Sequence, residues 1–346
     1  MRAEPIHRDL IADAPVTRLG GRTPTARWFF GALALLTLVP LAGMPLAFGP
    51  MHVRVTSLPA GLLLTVLAIT GSMHVGSTAF FYVDRDFRPL IRVDRRRFLW
   101  ALALVPIGLF LLGISGAAFI GSWMFFALFA FQTTWLFYHY QRQNFGLISL
   151  VSTNAGSGPL PAHVGPLLNV VALAGVVATL GLPGLYPAGL HRLMPVDLQA
   201  TFRSCGIVLY LLSIPLLVSV FWRHASLRRD PWLAVGLVLG WAFFLPAVVG
   251  NPFGFLPLAV AHGAQYVFMM MILSARSSRR WLGLVAMCAL GAGIGYVLDS
   301  VKQLPAILLA VGVVQVHFLL DAKVWRLREP QQRAIMNRRF DFLLAR

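Results

Sequence analysis

The sequence predicts an all-α polytopic membrane bundle of about ten helices, and three observations carry that expectation. Of the 346 residues, 58% are hydrophobic and only 12% are charged, and mean hydropathy is positive. That composition lies outside the range of soluble domains. The apolar residues gather in runs near the ~20 residues that cross a hydrocarbon core as a helix. The basic residues, nearly all arginine, collect in alternate loops between those runs, the pattern of the positive-inside rule.

Ten runs meet the length criterion: 28–48, 58–83, 98–118, 121–150, 166–183, 201–222, 231–249, 254–274, 281–298 and 303–322. A tight turn near Gly121 joins the third to the fourth. The fourth is long, and its Arg142 either snorkels toward the headgroups or marks an early exit from the core. The fifth is short and rich in glycine and proline. Pro40, Pro106, Pro215 and Pro246 fall within spans, where neighbouring helices re-satisfy the freed backbone groups. Asn251, Pro252, Phe253 and Gly254 read as a tight turn.

Orientation follows from arginine. The 84–97 loop carries Arg85, Arg88, Arg92, Arg95, Arg96 and Arg97, and loops 223–230 and 275–280 are also basic. The opposite loops hold little beyond Arg54, Arg192 and Lys302, although loop 152–165, on the basic side, lacks Lys and Arg altogether. Both termini are therefore expected in the cytoplasm of a bacterial inner-membrane protein. The chain divides into an N-terminal tail (1–27), a single transmembrane helical domain (28–322) and a basic C-terminal tail (323–346). The formal charge of +17 is accounted for by anionic lipid headgroups, not by nucleic acid. The 82–97 run reads as a solvated, membrane-facing loop, with a lipid phosphate or an acidic redox partner as the alternative. Trp325, Arg326 and Arg328 read as interfacial anchors. Cys205 and Cys288 sit in apolar runs without a motif and read as small buried hydrophobes. Neither lysine, Lys302 or Lys323, lies deep in a run, which argues against a Schiff-base chromophore.

Four histidines break this apolar pattern. His74, His139, His262 and His317 lie in the second, fourth, eighth and tenth runs, each with a hydrogen-bonding residue four positions later: Thr78, Gln143, Tyr266 and Asp321. A titratable ring in hydrocarbon is costly and faces a bundle interior or a cavity. In the topology above, all four helices run from outside to inside, with each histidine within ~20 Å of its cytoplasmic end. Residues at i+4 share a helix face, so the four followers would form a second polar layer ~6 Å nearer the cytoplasm. Metal-bound imidazoles commonly donate their other N–H to such groups. Asp321 is the strongest orienter and an alternative ligand, and Tyr266 is an orienter or a proton or radical group. Gln132, Thr133, Thr134 and Gln265 are consistent with a wet or reactive cavity.

The bland reading of one intramembrane histidine is a helix–helix hydrogen bond; four at matched depth favour a shared site. His7, His52, His163, His191 and His224 fall in tails or loops. The aromatic residues around His139 (Phe129, Phe131, Trp135, Phe137, Tyr138 and Tyr140) line a pocket or simply pack and anchor.

Neutral imidazole suits iron, zinc and copper. Four histidines leave open positions on an octahedral iron, whereas catalytic zinc more often takes three protein ligands and water. Paired histidines along one helix and clustered HxxHH or HxxxH motifs are absent from the sequence, which weakens cytochrome b-type and di-iron readings. The expectation is a non-haem iron oxygenase or oxidoreductase acting on a lipid or isoprenoid, with membrane lipids and an apolar small molecule as partners. The alternatives are a proton-coupled transporter with histidine relays and a bis-histidine haem protein.

Single histidines followed by polar residues on separate membrane helices, as in HGAQY (262–266) and HFLLD (317–321), resemble the layout of bacterial Brp/Blh-type β-carotene dioxygenases. Those are polytopic membrane proteins with a four-histidine iron that cleave a polyene to retinal. The resemblance covers four short segments, and what it implies here is a non-haem iron.

Overall fold

The computed structural model describes residues 25–43, 68–93, 95–119, 122–182, 195–249, 255–300, 304–326 and 329–344, and every regular element among them is helical. The first 24 residues, His7, His52, His191, the Gly121 turn and the 251–254 turn lie outside the described residues, as does the Phe129 side chain.

In chain order the helices are α1 (Ala26–Leu38), α2 (Met73–Gly76), α3 (Thr78–Val83), α4 (Arg88–Val93), α5 (Arg95–Phe119), α6 (Ser122–Asn154), α7 (Val164–Leu180) and α8 (Val196–Arg223). They continue with α9 (Ala225–Arg229), α10 (Pro231–Ala242), α11 (Leu245–Val249), α12 (Phe255–Ala275), α13 (Arg280–Ser300), α14 (Leu304–Val324), α15 (Pro330–Arg339) and α16 (Asp341–Leu344). Side-chain caps set two of the starts. Thr25 Oγ1 accepts from the Trp28 N–H at 3.2 Å to open α1, and Asp230 Oδ1 accepts from the Leu233 N–H at 3.0 Å ahead of Pro231 to open α10. Both are N-cap arrangements.

Each of the ten apolar runs contains helix. Among the described residues, four stretches, and not the ten expected, are long and apolar enough to cross a membrane by length and composition: Ala26–Gly43, Val196–Arg223, Pro231–Val249 and Leu256–Ala275. Helix α7 has 17 residues. The 33-residue α6 is interrupted by Gln132, Thr133, His139, Gln141, Arg142, Gln143 and Asn144. Several of these are turned inward; Gln141 donates to the carbonyls of Leu168 (2.8 Å) and Gly240 (3.3 Å). Arg142 is exposed and lies over the Phe145 ring.

One buried cluster joins Phe29, Phe80, Phe81, Met270 and Leu273 to Phe340 and Leu343. A second packs Phe137, Tyr140, Val171 and Phe244 around α6, α7, α11 and α12. Two close approaches draw α2 into the bundle. A Cβ on Gly76 would stand 2.2 Å from the Met287 carbonyl oxygen, and one on Gly263 would stand 1.7 Å from that of Thr70. Only glycine permits this backbone-to-backbone contact, a device common between membrane helices.

Three local expectations are corrected. The chain after 323 is not simply a basic tail, since α15 and α16 bury Ile335, Met336, Phe340 and Leu343 in the main core. The 82–97 run is not merely solvated, because Asp84 is 1% exposed. Asp84 accepts from Ser277 Oγ, and Arg339 Nη2 reaches Asp84 Oδ2 at 3.2 Å and Asp86 Oδ2 at 2.6 Å. Cys205 and Cys288 are exposed on the outside of the bundle; periodicity alone did not distinguish an inward from an outward face on helices apolar all round.

Candidate metal centre

Four helical segments deliver the four histidines to one buried point. His74 lies on α2, directly after a π-helical turn (Ala68–Ser72); such turns occur frequently at functional sites. His139 comes from α6, His262 from α12 and His317 from α14. Their exposures are 4%, 9%, 1% and 0%, so none of the rings relies on bulk water. The Gly263 contact seats α12, which carries His262, against the turn that leads into His74, while the Gly76 contact packs α2 on α13.

The geometry centres on His74. Its Nε2 lies 3.1 Å from Nε2 of His262 and 2.8 Å from Nε2 of His317. Its ring centroid is 4.5 Å from that of His262, 4.3 Å from that of His317 and 6.0 Å from that of His139. Asp321 Oδ2 stands 3.7 Å from His317 Nε2 and 3.8 Å from His139 Nε2. Ligand atoms of His74, His139 and His262 lie within 4.8 Å of one another, as do those of His139, His317 and Asp321. His139 Nε2 is buried with no hydrogen-bond partner among the described residues. A cation within this ring of donors would use that lone pair, so the residues fit a metal.

Of the residues one turn after each histidine, Asp321 faces its own His317, whereas Thr78, Gln143 and Tyr266 serve other partners. Thr78 meets His317 Nδ1 at 3.0 Å, not His74. Gln143 donates to the His262 carbonyl at 3.3 Å and to Gln265 Oε1 at 2.9 Å. Tyr266 packs edge-on against His74, with centroids 4.3 Å apart, and its hydroxyl donates to Asp321 Oδ1. Among the further polar residues, Gln132 accepts from Gln315, and Gln265 donates to Thr37. Thr133 is buried. Thr134 is exposed and bonds back to the Ala130 carbonyl at 2.7 Å, which removes it from the site.

Sequence reasoning missed two neighbours of the site, Trp325 and Phe318. Trp325, expected as an interfacial anchor, donates its indole N–H to the Tyr266 hydroxyl at 3.3 Å. Phe318 stacks on His139 with centroids 4.3 Å apart, and Tyr140 lies 4.1 Å from the His262 ring. Tyr140 was within the aromatic run around His139, whereas nothing in the sequence marked Phe318. Phe131 and Tyr138 of that run are exposed and face away from the histidines.

Compared with known proteins, the chain matches no family model, no curated protein and no solved structure.

Proposed function

We propose that the chain is a multi-pass membrane metalloprotein. Its ten helical stretches cross a bacterial inner membrane with both ends in the cytoplasm, and His74, His139, His262 and His317 hold one non-haem iron. The observation that carries this reading is the meeting of His74 Nε2 with two other Nε2 atoms, at 3.1 and 2.8 Å, in a buried site. A neutral imidazole nitrogen offers one proton or one lone pair. A single Nε2 therefore makes one well-aligned hydrogen bond, whereas a cation accepts a lone pair from every ring at once.

The spacing also bears on the metal. Nitrogens about 2.0–2.1 Å from a cation, the usual metal–imidazole distance, subtend roughly a right angle when separated as these are. A tetrahedral set would hold them about 3.3–3.4 Å apart by the same bond length. Right-angle edges suit an octahedral or tetragonal ion, and imidazoles beside a carboxylate favour iron, with copper next and zinc last. Haem fits less well, because a porphyrin needs a planar slot between opposed rings and these rings touch edge to face.

Bound there, iron would supply the redox and dioxygen chemistry that side chains lack. The chain's own residues orient and shield. Thr78 fixes the His317 ring, Tyr266 and Trp325 hold Asp321, and Gln143 ties α6 to α12 beside His262. Phe318 and Tyr140 cover ring faces and exclude water. The substrate class this supports is a lipid or isoprenoid reaching the site from the bilayer, which makes the protein an oxygenase or other oxidoreductase. The likeness to Brp/Blh-type enzymes extends to the four-histidine layout.

A second reading has one observation in its favour. The contacts His262–His74–His317–Thr78 form a continuous chain short enough to pass a proton, as a proton-coupled transporter needs. Metal analysis of the purified protein separates the two. Near-stoichiometric iron, lost when all four histidines become alanine, is the expected result. Metal-free protein that conducts protons in liposomes would replace the first reading with the second.

A further inference from the structure

A cavity of about 230 Å³ opens between α7 and α8, away from every residue of the metal centre. Its lining combines three polar side chains, His163, Ser219 and Arg223, of which His163 and Arg223 are exposed, with the apolar Pro166, Leu167, Leu216 and Val220. The volume is several times the ~30 Å³ share of one liquid water, so it admits a group much larger than solvent. No acidic residue lines it, and Arg223 is matched to no carboxylate among the described residues. His224 follows Arg223 directly. Its ring centroid is 6.5 Å from that of His163, and its Nε2 is buried without a hydrogen-bond partner among the described residues.

The cationic and hydroxyl groups of the lining call for an anion with several acceptor oxygens. Its apolar residues call for hydrocarbon. Below the cavity, α8 turns Leu212 and Leu216 outward, 58% and 46% exposed, which continues the apolar lining along the face of a helix apolar enough to span a membrane. We infer that this cavity binds an anionic glycerophospholipid, with its phosphate on Arg223, His163 and Ser219 and an acyl chain along Leu216 and Leu212. The site is separate from the proposed iron centre and does not depend on it.

Native mass spectrometry of the purified full-length protein with dioleoyl-phosphatidylglycerol tests this. The wild-type protein should retain one lipid. Arg223→Ala should weaken that binding about fivefold, the factor that one basic residue near an anionic lipid contributes. Ser219→Leu, which fills the cavity without changing charge, should also weaken it. Arg229→Ala removes an equal charge outside the lining and should leave binding unchanged, as should His317→Ala. An equal loss in Arg229→Ala would overturn the site in favour of diffuse charge attraction. Displacement of the lipid by millimolar inorganic phosphate would show a free-anion site, and failure of the wild-type protein to retain lipid would remove the proposal.

Discussion

The Thr78 hydroxyl and Nδ1 of His317 are 239 residues apart in sequence and 3.0 Å apart in space. With the proposed metal on His317 Nε2, Nδ1 would carry the ring proton and donate it to Thr78 Oγ1. Groups that orient a metal-ligating imidazole through its other nitrogen are worth about 10- to 100-fold in metal affinity. Thr78→Val should therefore lower iron affinity by that order while Thr78→Ser preserves it, as read by competition with a chelator. Equal affinities for Val and Ser would mean that the hydroxyl does not orient the ring.

That pairing also shows what the sequence could and could not disclose. The i+4 spacing identified Thr78, Gln143, Tyr266 and Asp321 because helical geometry puts each on the face of its own histidine. It did not reveal that Thr78 serves His317 or that Tyr266 leans on His74, because a shared face says nothing about which helix lies opposite. Phe318 was invisible for a related reason. On α14, where most residues are apolar, its ring is marked only by stacking on His139 of another helix. The clamp made by α15 was hidden by composition. Arg338 and Arg339 read as surface charge, while the acids that hold Arg339, Asp84 and Asp86, lie over 250 residues earlier.

Asp321 divides its two oxygens between distinct tasks. Oδ1 accepts from Tyr266, and Oδ2 faces His139 and His317. Tyr266→Phe leaves Oδ2 in place but removes the hydroxyl that donates to Oδ1, a loss of roughly 1–3 kcal/mol for a buried acceptor deprived of a donor. Asp321→Ala removes the oxygen that faces the rings. The expected pattern is a lowered melting temperature with iron retained in Tyr266→Phe, and iron lost or much more weakly held in Asp321→Ala. Full iron retention in Asp321→Ala would exclude the carboxylate as a ligand.

Glycine substitutions should separate according to what faces each position. The added methyl of Gly263→Ala would meet the Thr70 carbonyl oxygen and force α12 away from the His74 segment. Overpacking costs about 1–3 kcal/mol, and here it also pulls His262 from His74. Gly146, in α6, has nothing within 4 Å of a built Cβ, so Gly146→Ala should be neutral or stabilise by up to about 1 kcal/mol through helix propensity. Thermal unfolding with iron content as a second readout distinguishes them. If both variants melt alike and keep iron, the close approach at Gly263 does not hold the site together.

Arg339 is 5% exposed and donates to Asp84, Asp86 and the Leu273 carbonyl. It thereby ties α15 to the chain just beyond α3 and to α12, which carries His262. Removing one partner of a buried ion pair typically costs about 3–5 kcal/mol, because the other charge is left uncompensated. Arg339→Ala should fall in that range through the stranded Asp84, and Arg339→Lys should recover little, since an ammonium cannot reproduce the forked contacts. The double variant Arg339→Ala, Asp84→Asn should regain part of the loss by removing the stranded charge. A double variant as unstable as the sum of the two single variants would show that Arg339 contributes packing through its stem, not charge pairing, and that α15 is held by Ile335, Met336 and Phe340 alone.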